Sequence, residues 1–210
     1  GKQHLEDCFS SLLKQDYPAL EIIMVDNASN DGSVEFAKKK FSSIKIIKNQ
    51  INIGFGPAVN KGMAIGKGEY LLFLNNDISL EPDCISKLTK SMEISDIGGA
   101  IPKILFFDKR DVINSFGVDV NYVGIACPRF IYEKDSESLK EEEVPCGGIF
   151  MFHRNILKKV RGFDESIFFY HEDHDLSWRI RLTGKRLIVN PKAVIYHKYH
   201  FSRNKDKFYY

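Results

Sequence analysis

The chain lacks any apolar run approaching the ~18 residues of a membrane span. It also lacks an excess of charge: 30 Lys and Arg stand against 28 Asp and Glu, a formal net charge of +2. That balance gives no electrostatic footprint for a nucleic-acid partner, and none is expected. Cysteine is scarce and scattered. Cys8, Cys84, Cys127 and Cys146 form no CxxC pair and have no histidine at zinc-finger spacing, which argues against a zinc finger or a disulfide scaffold and predicts reduced thiols in a cytoplasmic compartment. Internal repeats and low-complexity segments are also missing. What is present is ordinary for a globular protein, with 43% hydrophobic and 28% charged residues, and 210 residues suit one domain with a large core.

The strongest local signal is Glu69 to Leu74 (EYLLFL), a short apolar run that reads as a strand buried on both faces. It breaks off into Asn75-Asn76-Asp77, and a helical pattern follows from Asp83 to Met92. Upstream, His4 to Lys14 carries Leu5, Cys8, Phe9, Leu12 and Leu13 on one face, an amphipathic helix. Strands are predicted at Leu20–Val25 and Ile44–Ile47, and helices at Val34–Phe41 and Pro57–Ile65. This alternation is the signature of a parallel sheet with helical crossovers. Downstream the pattern gives strands at Ile97–Phe107 and Val112–Phe116, then weak periodicity from Gly117 to Val144. Glu133–Glu143 (EKDSESLKEEE) reads as an exposed, mobile loop. Helices are expected at Arg154–Val160 and Glu172–Thr183, the latter with Leu176, Ile180 and Trp178 inward. Two short strands, Arg186–Val189 and Ala193–Tyr196, should be separated by Asn190-Pro191.

Three constellations could carry chemistry. Asp26 ends a predicted strand just before Asn27, Ser29 and the Asp31-Gly32-Ser33 turn. Ligands of open α/β sheets bind outside the carboxyl ends of the strands, and an aspartate there can accept from a base or ribose; the competing role is a helix cap. Asn75-Asn76-Asp77 can hold a hard divalent cation through oxygen, or be a plain Asn-Asp turn and cap. Glu172, Asp173 and Asp175 open a helix, where acids favour the dipole. They also follow Phe168-Phe169-Tyr170, an aromatic setting suited to a general base. His171 and His174 suggest zinc only weakly, since no third nitrogen or sulfur ligand lies close by in sequence.

Five segments together resemble the successive motifs of family-two glycosyltransferases of the GT-A fold, with a rhamnosyltransferase-like flavour. They are VDNASNDGS (Val25–Ser33), NIGFGPAVNKG (Asn52–Gly62), KGEYLLFLNND (Lys67–Asp77), the long stretch from Gly147 to Gly184, and PKAVIYH (Pro191–His197). The resemblance implies an α/β, Rossmann-like domain with a mostly parallel central sheet flanked by helices. It implies one domain over 1–210, with a nucleotide-sugar-binding half (1–100) and an acceptor and catalytic half (101–210). The implied activity is inverting transfer of a sugar, rhamnose among the candidates, from a nucleotide-diphosphate donor. The acceptor would be a saccharide or lipid-linked hydroxyl in cell-surface polysaccharide synthesis, with the enzyme cytoplasmic or peripheral on the inner membrane face.

By position, Asp26 matches the base-binding aspartate, and Asn27, Ser29, Asn52, Gly54, Asn60, Asn75, Asn76 and Asp77 fall in the nucleotide-sugar segments. Asn75 and Asp77 match the ends of the DxD motif. With His197 they form the implied site for Mg²⁺ or Mn²⁺, and Asp173, beside Glu172, matches the catalytic base. Asn75 departs from the first aspartate of the usual motif. The family also opens with an apolar strand that this sequence begins after, and it continues beyond Phe208-Tyr209-Tyr210; a chain truncated at both ends is the expectation. Two rivals remain open: a nucleotidyltransferase, which needs a glycine-rich Arg/Lys signature loop, and a non-catalytic nucleotide- or carbohydrate-binding homologue, which needs no positioned base.

Overall fold

The computed structural model describes residues 1–199; Phe208-Tyr209-Tyr210 lie outside the described residues. In chain order, helix α1 (Lys2–Leu13) is followed by strand β1 (Ile23–Asp26), α2 (Ser33–Lys40), β2 (Lys45–Lys48), α3 (Phe55–Ile65) and β3 (Tyr70–Leu72). Then come β4 (Ile78–Leu80), α4 (Cys84–Met92), β5 (Ile97–Phe106), β6 (Ile113–Ser115), β7 (Val118–Val120) and β8 (Ala126–Pro128). The chain closes with β9 (Glu142–Glu143), β10 (Met151–His153), α5 (Arg154–Val160), α6 (Glu172–Arg181) and β11 (Arg186–His197).

The strand-helix alternation of the first half is realised, and β1 and β2 pair in parallel from Ile23↔Lys45 to Asp26↔Lys48. The central sheet, however, is mixed rather than mostly parallel. Its order is β3-β10-β5-β11-β4, with β6 paired to β5 and β9 to β11 off that path, and only β5 and β11 run parallel in it. The sequence pattern cannot show this, because β10 lies far downstream of β3 and pairs with it in antiparallel sense, Phe152 against Leu71. Strand β5 is buried at all ten positions, so it forms the spine between two apolar clusters. One contains α1 and α4 with Leu5, Leu88 and Met92. The other contains α6 with Leu176, Ile180 and Phe152.

Several expectations are corrected by this topology. The run at 69–74 is strand only over Tyr70–Leu72, and it is half-exposed rather than buried on both faces. Its free edge faces β1 across a groove of about 850 Å³, with Leu5, Phe9, Ile23, Val25, Leu71 and Phe73 among its walls; no described strand pairs with either edge there. Strand β4 was not foreseen: Ile78-Ser79-Leu80 is made a strand by pairing with β11. The two short strands at 186–196 are one, because the Asn190–Val194 irregularity is absorbed as a bulge against Pro102 and Lys103 of β5. Trp178 faces outward at 51% exposure, with the Arg181 guanidinium 6.0 Å from its ring.

The acidic 133–143 stretch is largely exposed but tied down. Asp135 accepts from the buried Lys103 ammonium at 2.7 Å, Glu141 from the Ser91 hydroxyl, Glu142 pairs with Arg129, and Glu143 pairs with Arg181. Among the described residues no helix is long and apolar enough to cross a membrane.

Candidate active site

The polar end of the groove gathers the ends of β1 and β3. Asp26, last residue of β1, is 2% exposed. Its Oδ2 accepts the Ser29 N–H at 3.3 Å, an approach made by the left-handed turn at Ala28 (φ 67°). Its Oδ1 is buried and has no partner. Helix α2 has Gly32 at its N-cap and no side-chain cap; Asp31 Oδ1 accepts the Ser33 N–H at 3.0 Å and also the Ser33 hydroxyl. That hydroxyl is the first cause holding Asp31 well below the ordinary carboxylate range, with the Lys2 N–H next. No side chain caps α2, Asp26 included, and Asp26 is a buried acceptor facing a groove that it lines with Asn27, Ser29, Asn75, Asn76 and Asp77.

Asp77 sits where the chain leaves β3 and enters β4. The β4–β11 ladder pairs Ile78 with His197, and the Lys198 N–H donates to the Asp77 carbonyl at 2.9 Å. His197 Nε2 thereby lies 3.3 Å from Asp77 Oδ2, while Asp77 Oδ1 is buried without a partner. Burial raises the pKa of this carboxyl, but the His197 hydrogen bond and charge, with His4 adding, outweigh it and hold the group below its ordinary value. Two donors on one octahedral ion at ~2.1 Å and right angles stand ~3 Å apart. The Asp77–His197 spacing and the bare Asp77 oxygen therefore fit Mg²⁺ or Mn²⁺. Asn75 and Asn76 are exposed beside them. Among the described residues no group of three or more His, Cys, Asp and Glu side chains converges on one point.

Other candidates build the walls. Asn27 donates to Asn52 Oδ1 at 2.7 Å and to the Gly54 carbonyl at 2.9 Å; it accepts from Asn49 Nδ2 at 3.1 Å and from the Ile53 N–H at 3.2 Å. Asn52 Oδ1 also accepts the Gly54 N–H at 3.0 Å. This lattice of amides fixes the 49–56 loop to the end of β1. Asn60 accepts the Phe163 N–H at 3.0 Å and donates to the Phe163 carbonyl at 2.9 Å and Glu165 at 3.1 Å. Asn27 and Asn60 are thus committed within the protein. Gly54 has φ 89°, and a Cβ there would lie 2.7 Å from the Phe168 carbonyl oxygen. Only glycine lets this loop press against the run that leads into α6.

That run ends in consecutive left-handed residues, Tyr170 (φ 64°) and His171 (φ 68°), and His171 is the N-cap position of α6. Such strain in non-glycine residues persists where the surroundings over-determine it. Glu172 Oε2 is buried with no partner, and burial, reinforced by the Asp173 charge, pushes this carboxyl above its ordinary value. Asp173 Oδ1 accepts the N–H of His174 at 2.9 Å. Its Oδ2 lies 3.7 Å from where a Gly148 Cβ would be. Gly148 leads into β10, where the Phe73 N–H donates to the Phe150 carbonyl at 3.1 Å; Asp173 and Glu172 are not among the residues that line the groove. Asp175 pairs with Arg179 at i,i+4, and Arg179 also donates to the Val160 and Gly162 carbonyls at 2.6 and 2.7 Å; this acid is structural, as its spacing predicts. His171 and His174 place their Nδ1 atoms 3.0 Å apart.

Sequence reading missed Asn114, whose Oδ1 lies 3.0 Å from His197 Nδ1. The only signal was a lone amide within the apolar run Val112–Phe116.

The sequence model of glycosyl transferase family 2 matches residues 2–161. The N-acetylglucosaminyl-diphospho-decaprenol L-rhamnosyltransferase of Mycobacterium tuberculosis is 26% identical over 223 aligned positions, covering 94% of this chain and 73% of that protein. The poly-beta-1,6-N-acetyl-D-glucosamine synthase of Staphylococcus epidermidis is also 26% identical, over 90% of this chain but 45% of its own length. Among solved structures, GalNAc-T7 with UDP, GalNAc and Mn²⁺ superposes with a TM-score of 0.77 at 16% identity, over 94% of this chain and 41% of that one. The chain thus spans less than half of the last two. The fold likeness shows the α/β GT-A architecture that the motifs imply.

Proposed function

The chain belongs to glycosyl transferase family 2, and from that premise we propose that it transfers a sugar from a nucleoside-diphosphate donor to a hydroxyl of a saccharide or lipid-linked acceptor in cell-surface polysaccharide synthesis. One observation carries this reading. Asp26, at the end of β1, and Asp77, just before β4, line one groove, and each keeps a buried carboxylate oxygen with no protein partner. Buried polar atoms are almost always satisfied, so two bare acceptors lining one groove point to a ligand that supplies donors to one and a cation to the other. Asp26 would accept from the nucleoside and Ser29 would line its pocket, while Asn27, Asn52, Gly54 and Asn60 fix the walls. Asn75, Asn76, Asp77 and His197 would face the diphosphate and its ion.

A bound Mg²⁺ or Mn²⁺ offsets the negative charge that grows on the leaving diphosphate; Mn²⁺ accompanies UDP in GalNAc-T7. Asp173 takes the proton of the acceptor hydroxyl as its oxygen bonds to the anomeric carbon and the carbon–oxygen bond to the diphosphate breaks. A single displacement inverts the anomeric centre. Glu172 orients the acceptor. L-rhamnose, the sugar named for the mycobacterial relative, is the first donor sugar to test, and a lipid-linked acceptor places the work at the inner face of the membrane.

The test is a panel of nucleotide-sugars assayed for transfer or hydrolysis with Mn²⁺ and with EDTA. Asp173→Asn should bind donor nearly as the wild type does and turn over ~10²–10⁴-fold more slowly, the usual worth of a general base. Turnover that survives in Asp173→Asn, or a donor affinity indifferent to EDTA, refutes the assignment.

A further inference from the structure

We propose that Asn49 is a positioning residue for the nucleotide end of the groove: it holds Asn27, and through it the turn from Asp26 to Ser29, in the shape that a nucleoside meets. The proposal rests on the reading of Asp26 as the nucleoside's acceptor.

The geometry begins where β2 stops. Strands β1 and β2 pair as far as Asp26 and Lys48, and Asn49 carries the contact onward, its N–H donating to the Asp26 carbonyl at 2.8 Å. The residue is 4% exposed, and both ends of its amide are used. Oδ1 accepts from the Lys61 ammonium at 2.7 Å, and Nδ2 donates to Asn27 Oδ1 at 3.1 Å. An ammonium only donates, so the Asn49 amide has one orientation, with its nitrogen turned to Asn27. Asn49 does not line the groove, whereas Asp26, Asn27 and Ser29 do. It therefore acts on a ligand only through these neighbours.

Asn27 has no second way to be satisfied. Its Oδ1 also takes the Ile53 N–H at 3.2 Å, and its Nδ2 donates to Asn52 Oδ1 at 2.7 Å and to the Gly54 carbonyl at 2.9 Å. A flipped amide would set donor against donors on one side and acceptor against acceptors on the other. The next residue, Ala28, is left-handed at φ 67°, a state that persists in a non-glycine residue where the surroundings over-determine it. That turn brings the Ser29 N–H to Asp26 Oδ2 at 3.3 Å. Asn49 grips the strained turn twice, the Asp26 carbonyl by its backbone and Asn27 by its side chain. Remove the side-chain grip, and Asn27 and the Asp26–Ser29 turn lose the anchor that faces β2.

The experiment compares wild type, Asn49→Leu and Asn49→Asp, using whichever of UDP, GDP and dTDP the wild type binds most tightly. Leucine keeps the net charge, aspartate keeps the shape and the Lys61 contact, and both delete the donor to Asn27. Titration calorimetry at low salt and at about 0.5 M, where charges are screened within a few ångströms, separates a positional effect from a change of field. The expected result is a Kd raised ~5-fold or more in both variants at both salt levels, the lower end of the worth of an unpaired buried group. The KM for nucleotide-sugar hydrolysis should rise in step, with kcat unchanged. Variants that melt lower but bind like wild type mark a purely structural residue and overturn the proposal, as does failure of both to fold. A loss seen in only one variant, or one that vanishes at high salt, overturns it too. If Asp26→Asn loses affinity while the Asn49 variants do not, the nucleoside reading stands and this proposal alone falls. If Asp26→Asn binds like wild type, both fall.

Discussion

Asp26→Asn separates function from folding more cleanly than any other substitution in this chain. In the folded protein the carboxylate is 2% exposed and receives one hydrogen bond, at 3.3 Å from the Ser29 N–H, with its other oxygen bare. Removing a charge from water costs several kcal/mol unless partners repay it, and one long bond repays little. Asparagine keeps the shape and the Ser29 bond and replaces a bare charged oxygen by a bare amide nitrogen, whose burial costs ~1–3 kcal/mol. The unliganded variant should therefore melt no lower than wild type and gain about 1 kcal/mol, or ~2–4 °C for a domain of this size.

Binding should move the other way. A nucleoside donor that met the free carboxylate oxygen now meets an N–H. A lost pairing of this kind is worth ~1–3 kcal/mol, about 5–150-fold in Kd. Calorimetric titration with a panel of nucleoside diphosphates and thermal melts without ligand give the two numbers. A variant that melts several degrees lower shows that Asp26 holds the β1 turn together after all. A variant whose nucleotide affinity is unchanged shows that the bare oxygen does not face the ligand.

Two further substitutions probe the walls and the base. Gly54→Ala forces a side chain onto φ 89° and places its Cβ 2.7 Å from the Phe168 backbone oxygen. Strain of ~1–3 kcal/mol plus a displaced backbone predicts a loss of roughly 2–4 kcal/mol, read in denaturant unfolding; a loss below ~1 kcal/mol would mean that the loop yields freely. Glu172 has its pKa raised by burial, so the folded state holds its proton more tightly than the unfolded chain. Stability therefore falls as pH rises from the ordinary 4.5 through the raised value, and the full cost is present at neutral pH. Glu172→Gln should melt higher than wild type at pH 7, by less than about 1 kcal/mol given the screening of a half-exposed group, and the advantage should vanish below 4.5. An advantage that persists in acid contradicts the titration origin.

Elements whose signals are local are legible in the order of residues alone. The amphipathic stripe of α1, the run of α5 from Arg154 to Val160, and the acids that open α6 appear within a residue or two of where they were read. The polar ends of β1 and β3 are equally legible, since an apolar run that stops at Asp26 or at Asn75-Asn76-Asp77 needs no distant partner to be noticed. The Asp175–Arg179 pair is a local i,i+4 contact on α6. Tertiary structure decided everything set by pairing across long separations. The antiparallel entry of β10 makes the sheet mixed, and β4 exists because β11 lies beside it. Trp178 faces out because the core side of α6 is filled by Leu176 and Ile180. The acidic 133–143 segment reads as a solvated loop until Lys103, Arg129 and Arg181 are brought to it. Asn114 reaches His197 only through a bulge, and a bulge is a mismatch between two strands, which neither strand's own sequence records.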